Sequence, residues 1–152
     1  MKKLIKLTMF LTLCLFLTGM MSCSDDKDNI ISDSSKLEGK WTVVHYIVDG
    51  NTITKNDKPT WPDYNNGDIT LELAPINGHH KGKVVGKSVT NSLTGDYTLG
   101  KNNTIAFSIF TTEITEPEWT DLFKTYKINR YEIKEEKLYL YYDTTSIVLE
   151  KN

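Results

Sequence analysis

The sequence predicts a mainly β protein: a small antiparallel eight-stranded barrel, or strongly curved sheet, with one helix packed on it. Three observations predict it. From Leu37 onward apolar and polar residues alternate with period two in short runs, the pattern of half-buried strands. The runs are separated by residue types that accept positive φ or cap a reversal. A single segment switches to a helical period.

The alternation places strands at 40–48, 68–74, 82–89, 95–99, 104–110, 130–133, 137–141 and 146–151. Between them lie Asp49 with Gly50, Asn66 with Gly67, Asn77 with Gly78, Gly100, and Asn102 with Asn103. Eight short strands at this spacing fit an up-and-down closure of one sheet. In the one segment of different period, Trp119, Leu122, Phe123 and Tyr126 fall at i, i+3, i+4 and i+7. Thr115 and Glu118 have capping-box spacing, and Pro117 is tolerated in a first turn. A helix of about three turns is expected there, covering an open end or flank of the sheet. The loop 51–66, with Pro59, Trp61, Pro62 and Tyr64, has no periodicity. Its two aromatic residues either form a binding lip or fold back onto the barrel, and the second arrangement is the preferred expectation.

Ahead of this domain the chain opens with Lys2, Lys3 and Lys6, continues with an apolar run from Leu7 to Met21, and passes through Ser22 and Cys23 to Asp25, Asp26 and Asp28. Positive start, short apolar stretch and small residue before the cut form the order of a secretory signal. Thr8, Thr12 and Thr18 interrupt the run, and a retained span of about 20 apolar residues is not expected. Met20, Met21, Ser22 and Cys23 resemble a lipobox, whose cysteine is acylated before cleavage. Two or more chains such as palmitate, each methylene contributing about 0.8 kcal/mol, anchor a protein stably. The expected organisation is a signal peptide at 1–22, a flexible acidic tether at 23–36 and a barrel domain at 37–152. The tether is too polar to fold. It reads equally as an acidic export tract to the outer face of an outer membrane and as a plain solvated spacer.

The signal contains three of the 18 basic residues and none of the 20 acidic ones, so the cleaved chain keeps 15 basic and 20 acidic residues, a net of about −5. Nucleic acid is an unsuitable partner for such a charge balance. With Cys14 in the signal and Cys23 acylated, no internal disulfide is expected. The core must come from apolar burial, for which the domain has eight Tyr, three Trp, Phe107, Phe110 and Phe123.

Leu37, Gly39 and Trp41 resemble the Gly-x-Trp opening of lipocalin-like barrels, in which the tryptophan of the first strand plugs one barrel end. From Gly82 onward the order of features resembles the META/HslJ-like domain of bacterial envelope proteins. Its carriers are Gly95, Tyr97 and Leu99, then Ile105 and Phe107, Thr111 and Thr112, Phe123 in the helix, Tyr131 and Ile133, and Leu138 with Leu140. Glu113, Ile114 and Thr115 depart from the Asn, and often Cys or Met, usual in that family after the threonine pair. Both resemblances imply a small barrel carrying a helix, and neither implies an enzyme.

Candidate chemistry in the residues is sparse. His79 and His80 sit side by side in a turn, with Glu72 on the preceding strand, whereas a metal needs convergent donors. His45 with Ser88 or Ser108 lacks any nucleophile context, and its alternation with Trp41, Val43 and Ile47 makes it a barrel residue. Glu135 and Glu136 with Lys134 and Lys137 form a hairpin charge cluster rather than opposed carboxyls. Tyr139, Tyr141 and Phe110 should lie on the outer face, where the tyrosines are expected to pack under the helix. Asp143, Thr144 and Thr145 resemble a short glycosylation signal of some periplasmic systems. An eight-stranded barrel is filled by side chains or holds one small ligand; the large residues favour filling, and the candidate ligand or barrel-end contacts are Trp41, Tyr97 and Tyr131. The expectation is an outer-membrane lipoprotein, lipid-anchored through Cys23 on the surface or periplasmic face of the cell envelope, using no cofactor or metal. Its barrel would serve structural or protein-interaction roles with an envelope protein; the alternative is a lipocalin-like binder of a small apolar ligand.

Overall fold

The computed structural model describes residues 34–78 and 80–152. The expected signal peptide, Cys14, Cys23 with residues 24–33 of the tether, and His79 lie outside the described residues. The domain is mainly β, with eight antiparallel strands forming a curled half-barrel and a helical segment packed on it. The strands are β1 (Gly39–Val48), β3 (Thr70–Leu73), β4 (Lys81–Lys87), β5 (Ser92–Leu99), β6 (Ile105–Thr111), β7 (Arg130–Lys134), β8 (Lys137–Tyr142) and β9 (Thr145–Lys151). A short β2 (Asn51–Ile53), not expected from the sequence, folds back on the end of β1. The order across the sheet is β6-β5-β4-β3-β1-β9-β8-β7. One isolated bridge, Thr104 to Arg130, joins its two edges.

The turns use the chemistry the sequence supplies. Asp49, Gly50, Asn66, Gly67, Asn102 and Asn103 all have positive φ, the backbone that tight reversals need. Gly86 and Gly95 act inside strands: a Cβ would lie 2.1 Å from the Thr70 carbonyl oxygen at the first and 2.0 Å from that of Ser108 at the second. Only glycine lets adjacent backbones approach so closely, which favours curling.

The interior is filled. Trp41, Val43, Tyr46, Ile69, Leu71, Val84, Tyr97, Trp119, Leu138, Leu140, Ile147 and Leu149 form one continuous buried cluster. Two local expectations change. A β-bulge between Val43 and His45 shifts the register of β1 on β9, so the inward series runs Trp41, Val43, Tyr46 and His45 turns outward. A bulge opposes two residues to one and reverses facing beyond it. The helical segment is two 3₁₀ turns, Glu118–Leu122 and Thr125–Lys127, instead of a three-turn helix. Tertiary partners take the groups an α-helix would pair: Pro59 accepts from the Trp119 amide at 3.1 Å and Leu122 accepts from the Tyr142 hydroxyl at 2.6 Å. The capping box does not form, because Pro117 is the N-cap and the Thr115 carbonyl accepts from the Thr90 hydroxyl.

Candidate functional site

One end of the barrel is closed by Trp41. The helical turn Ser34–Leu37 precedes β1 and presents the Leu37 carbonyl to the indole, Nε1 to O 2.8 Å. Lys151, opposite Trp41 in the β1–β9 register, holds its ammonium 5.3 Å from the indole centroid, a cation–π distance. Above them opens a solvent-facing cleft of about 560 Å³ lined by Lys36, Trp41, Ile133, Glu135, Glu136 and Lys151. Its volume is within the range of ligand pockets. Its rim is two cations and two anions, and the Trp41 indole beneath is only 1% exposed.

Of the three candidate contacts, Trp41 lines this cleft, whereas Tyr97 and Tyr131 are buried in the cluster. The Tyr97 ring lies over Gly82, where a Cβ would meet it at 2.4 Å, and its hydroxyl donates to the Ala74 carbonyl at 2.6 Å. Burial first, then Glu38 and Tyr131, push that hydroxyl up to about 12. Tyr97 is thus a neutral structural donor.

The opposite end is closed by Trp119, which alternation in the strands does not signal. Tyr46 meets it edge to face, centroids 4.7 Å apart, and donates to its carbonyl at 3.1 Å. The indole Nε1 is buried and has no hydrogen-bond partner among the described residues. Beside it Glu116 clamps the β4–β5 turn, its carboxylate accepting from the Ser88 hydroxyl, the Thr90 and Asn91 amides and the Asn91 side chain. Burial raises the Glu116 pKa, but these donors outweigh it and hold the carboxyl below its ordinary value. Asn91 reaches on to Thr112 and Ile114. Sequence reading missed this clamp because its members are 25 residues apart or nearly so.

The other candidate groups do not converge. His45 is on the outer face of β1; burial and then Lys137 lower its pKa, against Glu150. Ser88 is engaged by Glu116, and Ser108 is on β6, separated from β1 by β3, β4 and β5. Glu72 is exposed and His80 lies in a turn at positive φ. Among the described residues no group of three or more His, Cys, Asp or Glu is placed to hold a metal ion. Glu135 and Glu136 occupy the β7–β8 turn, both at positive φ. Tyr139 and Tyr141 are on the outer face, not under the helical segment: their rings stack 6.3 Å apart, Arg130 lies 3.9 Å over Tyr141, and the Tyr141 hydroxyl donates to Glu132 at 2.8 Å. Burial and the Glu132 bond push that hydroxyl up to about 12. Phe110 is 73% exposed. Asp143 pairs with Lys127 at 2.9 Å in the β8–β9 turn, beside exposed Thr144 and buried Thr145. Tyr64 is mostly exposed, whereas Trp61, at 37%, is largely covered. Among the described residues no helix is long and apolar enough to cross a membrane.

Fold and site together define a filled, curled antiparallel half-barrel plugged by a tryptophan at each end. Comparison with protein-family models, with curated proteins and with solved structures finds no match.

Proposed function

We propose that the chain is an outer-membrane lipoprotein, held by acyl chains on Cys23, whose β-barrel is a non-catalytic module for structural or protein-interaction roles in the cell envelope. The observation that carries the reading is the order of basic start, apolar run, Ser22-Cys23 and acidic segment. The packed interior supports a module that works through its outside, since every large residue of the cluster is engaged with another. The acidic balance of the domain suits a protein partner better than nucleic acid. Treatment of the producing cells with globomycin should accumulate uncut precursor, and Cys23→Ala should release the protein from the membrane fraction. A Cys23→Ala protein that fractionates like the wild type overturns the anchor.

A second reading, a binder of a small apolar ligand, is favoured by one feature, the cleft between Trp41 and Ile133. It ranks behind the first because the cleft rim is charged and the indole beneath is covered by Lys151. Native mass spectrometry of protein purified from its host tests it: a retained apolar molecule, lost on Ile133→Glu substitution, would promote this reading over the first.

A further inference from the structure

The chain between β2 and β3 is a long loop that is firmly held. The Asp57 carboxylate accepts from the Thr54 amide at 2.8 Å and its hydroxyl at 2.7 Å. Thr60 donates to the Gly67 carbonyl at 3.1 Å, Asn65 to that of Asp68 at 2.8 Å, and Lys55 pairs with Asp68. The Tyr64 N–H donates to the Trp61 carbonyl and the Gly67 N–H to that of Tyr64, closing two consecutive turns, and the Pro59 carbonyl accepts from the Trp119 amide. Pro59 and Pro62 stiffen the backbone further.

This held loop leaves one edge of a tryptophan and most of a tyrosine open to water. Trp61 is 37% and Tyr64 56% exposed, with centroids 6.2 Å apart and planes inclined by 56°. Burying the open parts of these rings would be worth about a kilocalorie or more, so leaving them uncovered on a pinned scaffold makes a preorganised apolar corner. Asp63 and Asn66 are exposed beside them in the same turns, and neither the Asp63 carboxylate nor the Asn66 side-chain amide has a partner among the described residues. The nearby cations Lys55 and Lys58 are occupied by Asp68 and Glu118.

We propose that this corner is a saccharide-binding site: the C–H face of a neutral pyranose packs on Trp61 and Tyr64, while its hydroxyls meet the Asp63 carboxylate and the Asn66 amide. Size selects among occupants. The exposed parts of the two rings amount to about 200 Å², far less than the roughly 800 Å² per partner of a stable protein interface. They match one or two sugar rings. Charge selects as well, because paired lysines and a free carboxylate disfavour anionic lipid. Hydroxyls, which donate and accept, satisfy a carboxylate and an amide together. The site is independent of the anchor at Cys23 and of the cleft at Trp41.

The three tryptophans make the test selective, since Trp41 and Trp119 are 1% and 0% exposed and acrylamide should quench Trp61 alone. The mature protein is titrated with neutral hexasaccharides of glucose, mannose and N-acetylglucosamine. At least one should shield Trp61 saturably. Trp61→Ala and Tyr64→Ala, read by calorimetry, should each weaken binding by about tenfold with the melting temperature unchanged. Asp63→Asn and Asn66→Ala should alter preference among the sugars. Absence of shielding across the panel at millimolar sugar overturns the site. So does sugar binding that survives Trp61→Ala, or shielding of Trp61 by phosphatidylethanolamine–phosphatidylglycerol vesicles without sugar.

Discussion

At one end of the barrel a tryptophan is held by the residue four positions before it, Leu37 to Trp41; at the other, Tyr46 grips a tryptophan 73 positions away. The first plug is assembled within one helical turn and one strand. The second needs β1, the long loop and the segment after β6 to be in place together. The near plug has a fully paired indole and a charged, solvent-facing rim. The far plug has an orphan indole N–H and a clamp of neutral donors around one carboxylate. Closure that is local tolerates a polar opening above it, whereas closure assembled from distant segments depends on buried hydrogen bonds to fix where they meet.

Truncation is the harshest way to compare the two ends. Trp41→Ala and Trp119→Ala should each destabilise the domain by about 3–5 kcal/mol, measured by urea unfolding; a loss below 1 kcal/mol at either site would mean that its plug does not close the core. Replacement by phenylalanine sharpens the contrast. Trp41→Phe strands the Leu37 carbonyl, while Trp119→Phe removes a donor that has no partner among the described residues. The former should be worse by about 1 kcal/mol, and equal losses would contradict the assignment of the orphan N–H.

Glu116→Gln should cost about 1–2 kcal/mol near neutral pH, because several donors lose a charged acceptor. The sign with pH follows from its depressed folded pKa. Its contribution is present above the unfolded value and is lost as pH falls through the folded one. Thermal melts from pH 7 to pH 3 should therefore show a shallower acid limb for Glu116→Gln, and parallel limbs would remove the clamp from the account. At the near end the β7–β8 turn holds Glu135 and Glu136 at φ 52° and 62°, a conformation that asparagine and glycine adopt at less cost. Glu135→Asn with Glu136→Gly should stabilise by about 1 kcal/mol, a gain visible as a higher urea midpoint. The smallest effect belongs to His45, between the ends. Its lowered pKa makes stability fall as pH drops through the unfolded value near 6.5 toward the folded one, and His45→Gln should flatten that interval in a chemical-denaturation series.

The same contrast governs what was legible in the sequence. The eight longer strands were, because each carries its own alternation and several are bounded by residues suited to positive φ, such as Asp49-Gly50 and Asn102-Asn103. The shared inward face of Trp41 and Val43 was, through their alternation at the start of β1. The bulge after Val43 was not: His45 and Ile47 continue the parity of Trp41 and Val43, and only pairing with β9 reveals the extra residue. The spacing Trp119, Leu122, Phe123, Tyr126 promised one helical face, yet Trp119 is buried and Tyr126 is 76% exposed. Partners on the long loop and β8 took its backbone groups, a competition that no local window contains. The reversal at Glu135 and Glu136 was expected from their place between two alternating runs, even though glutamate is an unusual residue at positive φ. Trp61 and Tyr64 were noticed as aromatics, but their outward setting depends on the bonds beneath them.

The position of β1 in the sheet has a mechanical corollary. It lies between β3 and β9, and the chain reaches it through the turn Ser34–Leu37. Tension applied from the amino-terminal side runs along the strand axis, while the ladder bonds on both flanks stand across it. Such a load must shear two ladders at once instead of unzipping an edge.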